Sequence, residues 1–118
     1  MLWGPVALYT AFIFWLSSAP RPMPPAFQWP GGDKLIHLGE FTPLGFLLLR
    51  AFNRTWTDRR GRWLALLAVG LGLLVAAADE IYQGLIITRV PSVLDWGADG
   101  AGVWLGQLLY GWRVARTP

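Results

Sequence analysis

The sequence contains no cysteine. That absence removes thiolate catalysis, Cys-ligated zinc, iron–sulfur clusters and any disulfide framework. Charge is scarce as well. Charged residues make up 14% of the 118 residues, against about 25% in ordinary soluble domains. There is one histidine, His37, so no pair of histidines at helical or loop spacing can mark a metal site. No internal repeat and no low-complexity tract is visible. What fills the chain is apolar: 54% of it is hydrophobic, with 8 Trp and 14 Gly. A water-soluble core of single-domain size could not hide that much apolar surface. A soluble enzyme and a disordered tail are therefore both disfavoured. The net charge of +3 invites a nucleic-acid reading, but the positions of the charges point elsewhere.

Leu2–Pro20 is a run of 19 residues without a charge, long enough for a helix across a hydrocarbon core of about 30 Å. No basic residue precedes it, and Pro20 would follow any cleavage after Ser17-Ser18-Ala19, so it reads as a retained membrane helix rather than a signal peptide. Residues 20–32, PRPMPPAFQWPGG, read as a turn or extended loop. Asp33 then caps a second helix over Leu35–Phe52, in which Pro43 frees the Gly39 carbonyl and favours a kink. A third helix runs from Trp63 through Asp79, Glu80 and Gln83, followed by a loop or interfacial dip over Gly84–Pro91. The fourth begins at Ser92 or Asp95, with Ser92 a good N-cap, and ends near Trp112. It carries Gly102 and Gly106 in GxxxG spacing, with Ala98 on the same row, which permits close helix approach and allows an oligomer through those glycines. The expected fold is all-α: a single domain over residues 1–118, folded as an integral membrane bundle of four transmembrane helices.

Orientation follows from charge. Arg50, Arg54, Arg59, Arg60, Arg62, Arg113 and Arg116 fall on one side, opposed there only by Asp58. The positive-inside rule makes that side cytoplasmic and places both termini inside. Topology explains the basic clusters, so no nucleic-acid partner is expected.

The other side holds Asp33, Glu40, Asp79, Glu80, Asp95 and Asp99, with Arg21, Lys34, Arg89 and His37. At 1.5 Å per residue, Glu40 lies roughly 8 Å into the second helix and Asp99 roughly 6 Å into the fourth. Asp79 lies about 6 Å short of the far edge of a 30 Å core. Three segments thus bring ionisable groups to one depth. Each such group costs at least about 2.5–3.5 kcal/mol near a bilayer centre, so convergence on a shared polar cavity is expected. Asp33 and His37, Asp79 and Gln83, and Asp95 and Asp99 are i,i+4 pairs that share helix faces. Lys34 and Arg89 are the natural counter-ions. Three acids remain uncompensated by Arg21, Lys34 and Arg89, which calls for protonated carboxyls, a charged His37 or a bound cation. The alternative is a structural polar network that orders the helices. One histidine without a spaced partner gives no metal signature, and no cofactor is assigned.

Three blocks stand in order: Asp33-Lys34-x-x-His37, Asp79-Glu80-x-x-Gln83, and Arg89-x-x-Ser92-x-x-Asp95 leading into Gly102 and Gly106. The pattern resembles the VanZ-like family of small bacterial membrane proteins, named for a teicoplanin-resistance determinant, over about residues 12–110. Two departures are Phe41, where such proteins often have tyrosine, and Asp99, where they often have asparagine. The resemblance implies a multi-pass protein of the bacterial inner membrane linked to low-level glycopeptide resistance, and it supplies no established reaction. The expected partners are membrane lipids and a lipid-linked envelope precursor or lipoglycopeptide.

The leading expectation is an extracytoplasmic pocket that binds or modifies an envelope component. His37, Asp79 and Glu80 are the candidate catalytic groups. Asp33, Lys34, Gln83, Arg89, Ser92, Asp95 and Asp99 are the candidate ligand contacts, with Lys34 and Arg89 suited to an anionic headgroup. The alternatives are a non-catalytic scaffold and a small transporter. Against the transporter, the acids lie near one end rather than at the midplane, and the first helix contains no Asp, Glu, Lys, Arg or His.

Overall fold

The computed structural model describes residues 2–18, 25–28, 32–57, 61–86 and 93–115. Over these residues the chain forms four α-helices, a 3₁₀ turn at Pro25–Phe27, and no strand. The helices are α1 (Gly4–Leu16), α2 (Gly32–Thr55), α3 (Gly61–Ile86) and α4 (Val93–Ala115).

Proline opens α1 at a position where its missing N–H would have no intrahelical partner. The Trp3 carbonyl accepts the Ala7 N–H at 3.0 Å, which closes the first turn. At the other end the Ser17 N–H reaches the Ile13 carbonyl at 3.0 Å, and the Ser18 hydroxyl takes the Phe14 carbonyl at 2.8 Å. That side-chain bond competes with helix continuation, and Pro20 could not donate to extend it. The apolar run Leu2–Pro20 therefore yields a helix of only 13 residues, about 20 Å long. The expectation of a spanning helix over the whole run is corrected to that extent.

The other bounds also shift. Helix α2 starts at Gly32, so Asp33 lies inside the first turn instead of capping it. A carboxylate there still complements the helix N-terminus. The helix continues through Pro43 as one element, and the Thr42 hydroxyl donates to the Leu38 carbonyl at 2.7 Å just before it. Helix α3 runs past Gln83 to Ile86, taking in Gly84 where a loop was expected. Glycine lowers helix propensity by only about 1 kcal/mol, and the helical hydrogen bonds outweigh that in an apolar setting. Of the described helices, α2 and α3 are both long and apolar enough to cross a membrane. In α4 the Asp95, Asp99 and Gln107 side chains dilute the apolar character.

Helix α2 is central. Its Phe41, Leu44, Leu48, Ala51 and Phe52 form the core with Ala68 and Ala76 of α3, Val103 of α4 and Ile13 of α1. The closest seam is between α2 and α4, which run parallel: Leu38 meets Gly102, and Thr42 meets Gly106. A Cβ at Gly45 would collide with the Val103 carbonyl, one at Gly102 with the Leu38 carbonyl, and one at Gly106 with the Thr42 carbonyl. The small-residue spacing thus serves packing within the chain, and it carries no information about a second copy.

The two ends of the bundle differ in chemistry. At one end the Trp3 indole donates to the Thr55 hydroxyl at 2.9 Å and packs edge-on against Phe52, with ring centres 5.1 Å apart. Arg54 and Arg113 lie in the last turns of α2 and α4, Arg62 in the first turn of α3, and Arg50 one turn further from the end of α2. At the opposite end the start of α2, the end of α3 and the start of α4 bring the acids together.

Candidate functional site

The acidic end is built from three helix ends. The first two turns of α2 supply Asp33, Lys34 and His37, and α3 supplies Asp79, Glu80 and Gln83 before its C-terminus. The first two turns of α4 supply Asp95 and Asp99. Because α2 and α4 are parallel and tightly seamed, their N-terminal turns lie side by side. The i,i+4 spacing of Asp95 and Asp99 then aims both carboxylates at α2.

Asp95 is 1% exposed and accepts from the Lys34 ammonium at 2.6 Å. The same ammonium donates to Asp33 at 2.7 Å, and Lys34 and Asp33 are each about a third exposed. His37 Nδ1 stands 2.9 Å from Asp99 Oδ1, while its Nε2 lies 3.7 Å from Asp95 Oδ2. The imidazole is thus held between two carboxylates of α4. Asp33, one turn before His37 on the same helix face, pairs with Lys34 instead.

From α3, Asp79 is fully buried and accepts a hydrogen bond from the Ser17 hydroxyl of α1. It lies close enough to feel the charges of Glu40, Glu80 and His37. Asp99, also fully buried, feels those of His37, Asp79 and Glu80. Gln83, one turn beyond Asp79, is buried too. One oxygen of Asp79 and one of Asp99 have no hydrogen-bond partner among the described residues. Potential donor atoms of His37, Glu80 and Asp99 all lie within 4.8 Å of one another.

The structure brings together seven sequence-singled residues in direct pairs or within one electrostatic neighbourhood: Asp33, Lys34, His37, Asp79, Glu80, Asp95 and Asp99. Arg89 and Ser92 lie outside the described residues. Two members were not singled out from sequence. Ser17 stood in an uncharged run and was weighed only as part of the Ser17-Ser18-Ala19 stretch, because a hydroxyl carries no charge signal. Glu40 was placed at the right depth but not assigned to the site; its carbonyl accepts from the Tyr9 hydroxyl.

Chemically, an imidazole between carboxylates can hold or pass a proton. An ammonium bound to two carboxylates can exchange one of them for an anionic ligand. Carboxylates and an imidazole converging from three helices can bind a cation.

Comparison with known proteins adds a family. The model of the VanZ/LLP1 family matches residues 6–114 of the 118-residue chain. The protein belongs to the VanZ/LLP1 family. No curated protein and no solved structure matches it. The VanZ match begins in α1 and ends in α4, so the whole polar cluster lies within the family domain. VanZ membership and the two long apolar helices agree with a membrane protein.

Proposed function

We propose that this VanZ-family protein crosses the bacterial inner membrane four times with both termini in the cytoplasm. Its acidic end is then an extracytoplasmic pocket that binds or modifies an anionic, lipid-linked component of the envelope. One observation carries this reading: the half-buried Lys34–Asp95 pair and the buried His37–Asp99 pair sit at the end opposite Arg50, Arg54, Arg62 and Arg113. Positive-inside topology assigns the arginine end to the cytoplasm. Large exposed apolar side chains on every helix support a lipid surround, among them Leu8, Leu35, Leu74 and Leu108.

In this reading Lys34 offers its ammonium to the headgroup, displacing Asp33 and keeping Asp95. Asp33, Gln83 and Asp95 complete the described polar lining, to which the sequence adds Arg89 and Ser92. Where the bound component is also modified, His37 carries the proton, with Asp79 and Glu80 as the neighbouring acids. Resistance to teicoplanin, which the family resemblance implies, is the cellular readout.

A purely structural network is the competing reading, because Ser17–Asp79 and Lys34–Asp95 also tie helices together. Glu80→Gln and His37→Ala separate the two. The pocket reading expects both variants to accumulate, to melt within a few degrees of the parent, and to lose the effect on teicoplanin sensitivity. Retention of the effect in folded variants rules the pocket out as the functional site. Failure of both to accumulate makes the network structural. Topology is checked with Thr57→Cys and Gln28→Cys, both at exposed positions in a cysteine-free chain. An impermeant thiol reagent added to intact cells should modify the second and spare the first; the reverse pattern moves the pocket to the cytoplasm.

A further inference from the structure

We propose that His37, Glu80 and Asp99 form a binding site for one first-row divalent cation of the Zn²⁺ or Mn²⁺ type. The site stands on the cluster itself and does not depend on what envelope component the protein meets; with the cation bound, His37 is a ligand, and the proton role given to it above belongs to the cation-free form.

Four observations converge. The three side chains come from α2, α3 and α4, are all buried, and offer donor atoms within 4.8 Å of one another. Metal–nitrogen and metal–oxygen bonds of about 2.0–2.2 Å put neighbouring donors about 3.0–3.5 Å apart and opposite donors about 4.2 Å apart. The Nδ1–Oδ1 separation of 2.9 Å between His37 and Asp99 is already close to that of neighbours.

The second observation is a buried acceptor with nothing to accept from. Asp99 Oδ2 is fully buried and has no hydrogen-bond partner among the described residues, and Asp79 Oδ2 is in the same state. A buried carboxylate oxygen left in that state is costly, and a cation is the ligand that satisfies it. The third is charge. Asp33, Glu40, Asp79, Glu80, Asp95 and Asp99 outnumber the basic residues of the same segments even when Arg21 and Arg89 are counted with Lys34. The Lys34 ammonium is already shared between Asp33 and Asp95.

The fourth observation is the surround. Asp95 Oδ2 stands behind the imidazole, 3.7 Å from Nε2, where outer carboxylates orient metal-bound histidines. A mixed imidazole and carboxylate set suits borderline cations such as Zn²⁺ and Mn²⁺. Three protein donors leave coordination positions open for water or an anionic ligand. Chain spacing could not show this site, because its members are 43 and 19 residues apart and each helix contributes one.

The test uses untagged, detergent-purified protein stripped with a chelator and titrated with Zn²⁺, then with Cu²⁺ as a paramagnetic substitute. The expected result is one Zn²⁺ per chain, with a melting temperature that rises with added cation and falls on chelation. Since His37 is the only histidine, electron spin-echo modulation from one imidazole on bound Cu²⁺ identifies it without any substitution. His37→Ala and Asp99→Asn should weaken Zn²⁺ binding at least tenfold, the loss seen when even an outer partner is removed (about 10–100-fold). Arg54→Gln, at the opposite end of the bundle, should bind as the parent does. Less than about a tenth of an equivalent of Zn²⁺ with no thermal shift overturns the proposal. So does bound Cu²⁺ without imidazole modulation, or unchanged affinity in folded His37→Ala.

Discussion

Replacing Gly106 with alanine isolates the seam between α2 and α4. The added Cβ would fall well inside van der Waals contact with the Thr42 carbonyl and the Phe46 N–H of α2. Backbone cannot turn aside as a side chain can, so the helices must part by an amount of order 1 Å in an interior packed to crystal density. Overpacking of this kind costs about 1–3 kcal/mol, and a backbone clash belongs at the upper end. The comparison is Gly97→Ala on the same helix, where a Cβ meets nothing within 4 Å. There alanine should be neutral or stabilising, by at most about 1 kcal/mol. The two variants should therefore differ by about 3 kcal/mol. At about 4 °C per kcal/mol for a chain of this size, that is about 12 °C in the melting temperature of detergent-solubilised protein. The same opening would stretch Lys34–Asp95 and His37–Asp99, which cross the same pair of helices. Equal melting of the two variants would refute the seam and the parallel register drawn from it.

Lys34→Met should destabilise the protein by an amount between the roughly 1 kcal/mol of an exposed pair and the 3–5 kcal/mol of a fully buried one. Asp95 is buried while Lys34 is a third exposed, and Arg54→Ala at the other end should leave thermal melting unchanged. Ser17→Ala removes the hydroxyl that donates to buried Asp79. It should cost about 1.5–3 kcal/mol, as hydrogen bonds to charged groups do, with Ser17→Thr restoring most of it. A melting temperature for Ser17→Ala no lower than that for Ser18→Ala, at an exposed position, would show that Asp79 does not need α1.

The helices and the acidic end were legible in the sequence because both are periodic or charge-borne signals. Asp95, Asp99 and His37 could be placed on shared faces from spacing alone, and the depth argument brought Asp79 and Glu80 to their level. Partner choice was not legible. Spacing joined Asp33 to His37, whereas the parallel seam gives His37 to Asp99 and leaves Asp33 to Lys34. That seam depends on Gly45 as well as Gly102 and Gly106, and sequence alone did not show that the close approach would be to α2. The end of α1 escaped for a local reason. Hydropathy cannot see the Ser18 hydroxyl turning back onto the Phe14 carbonyl where α1 ends, or the neighbouring Ser17 hydroxyl reaching Asp79.

The parallel seam also bears on how the chain enters a bilayer. Aspartates at the centre of a lone span disfavour insertion by about 2.5–3.5 kcal/mol each, and less near its ends. Helix α4 carries two, and by itself it is a poor candidate for spontaneous partition. Helix α2 supplies what α4 lacks: the ammonium of Lys34 for Asp95, the imidazole of His37 for Asp99, and a groove that accepts Gly102 and Gly106. In the four-span reading, commitment of α4 to the membrane is thus conditional on α2 being there first, and it follows synthesis of all of α3. In that reading topogenesis and site assembly become one event: a nascent chain whose seam has not closed lacks both its last span and its polar cluster.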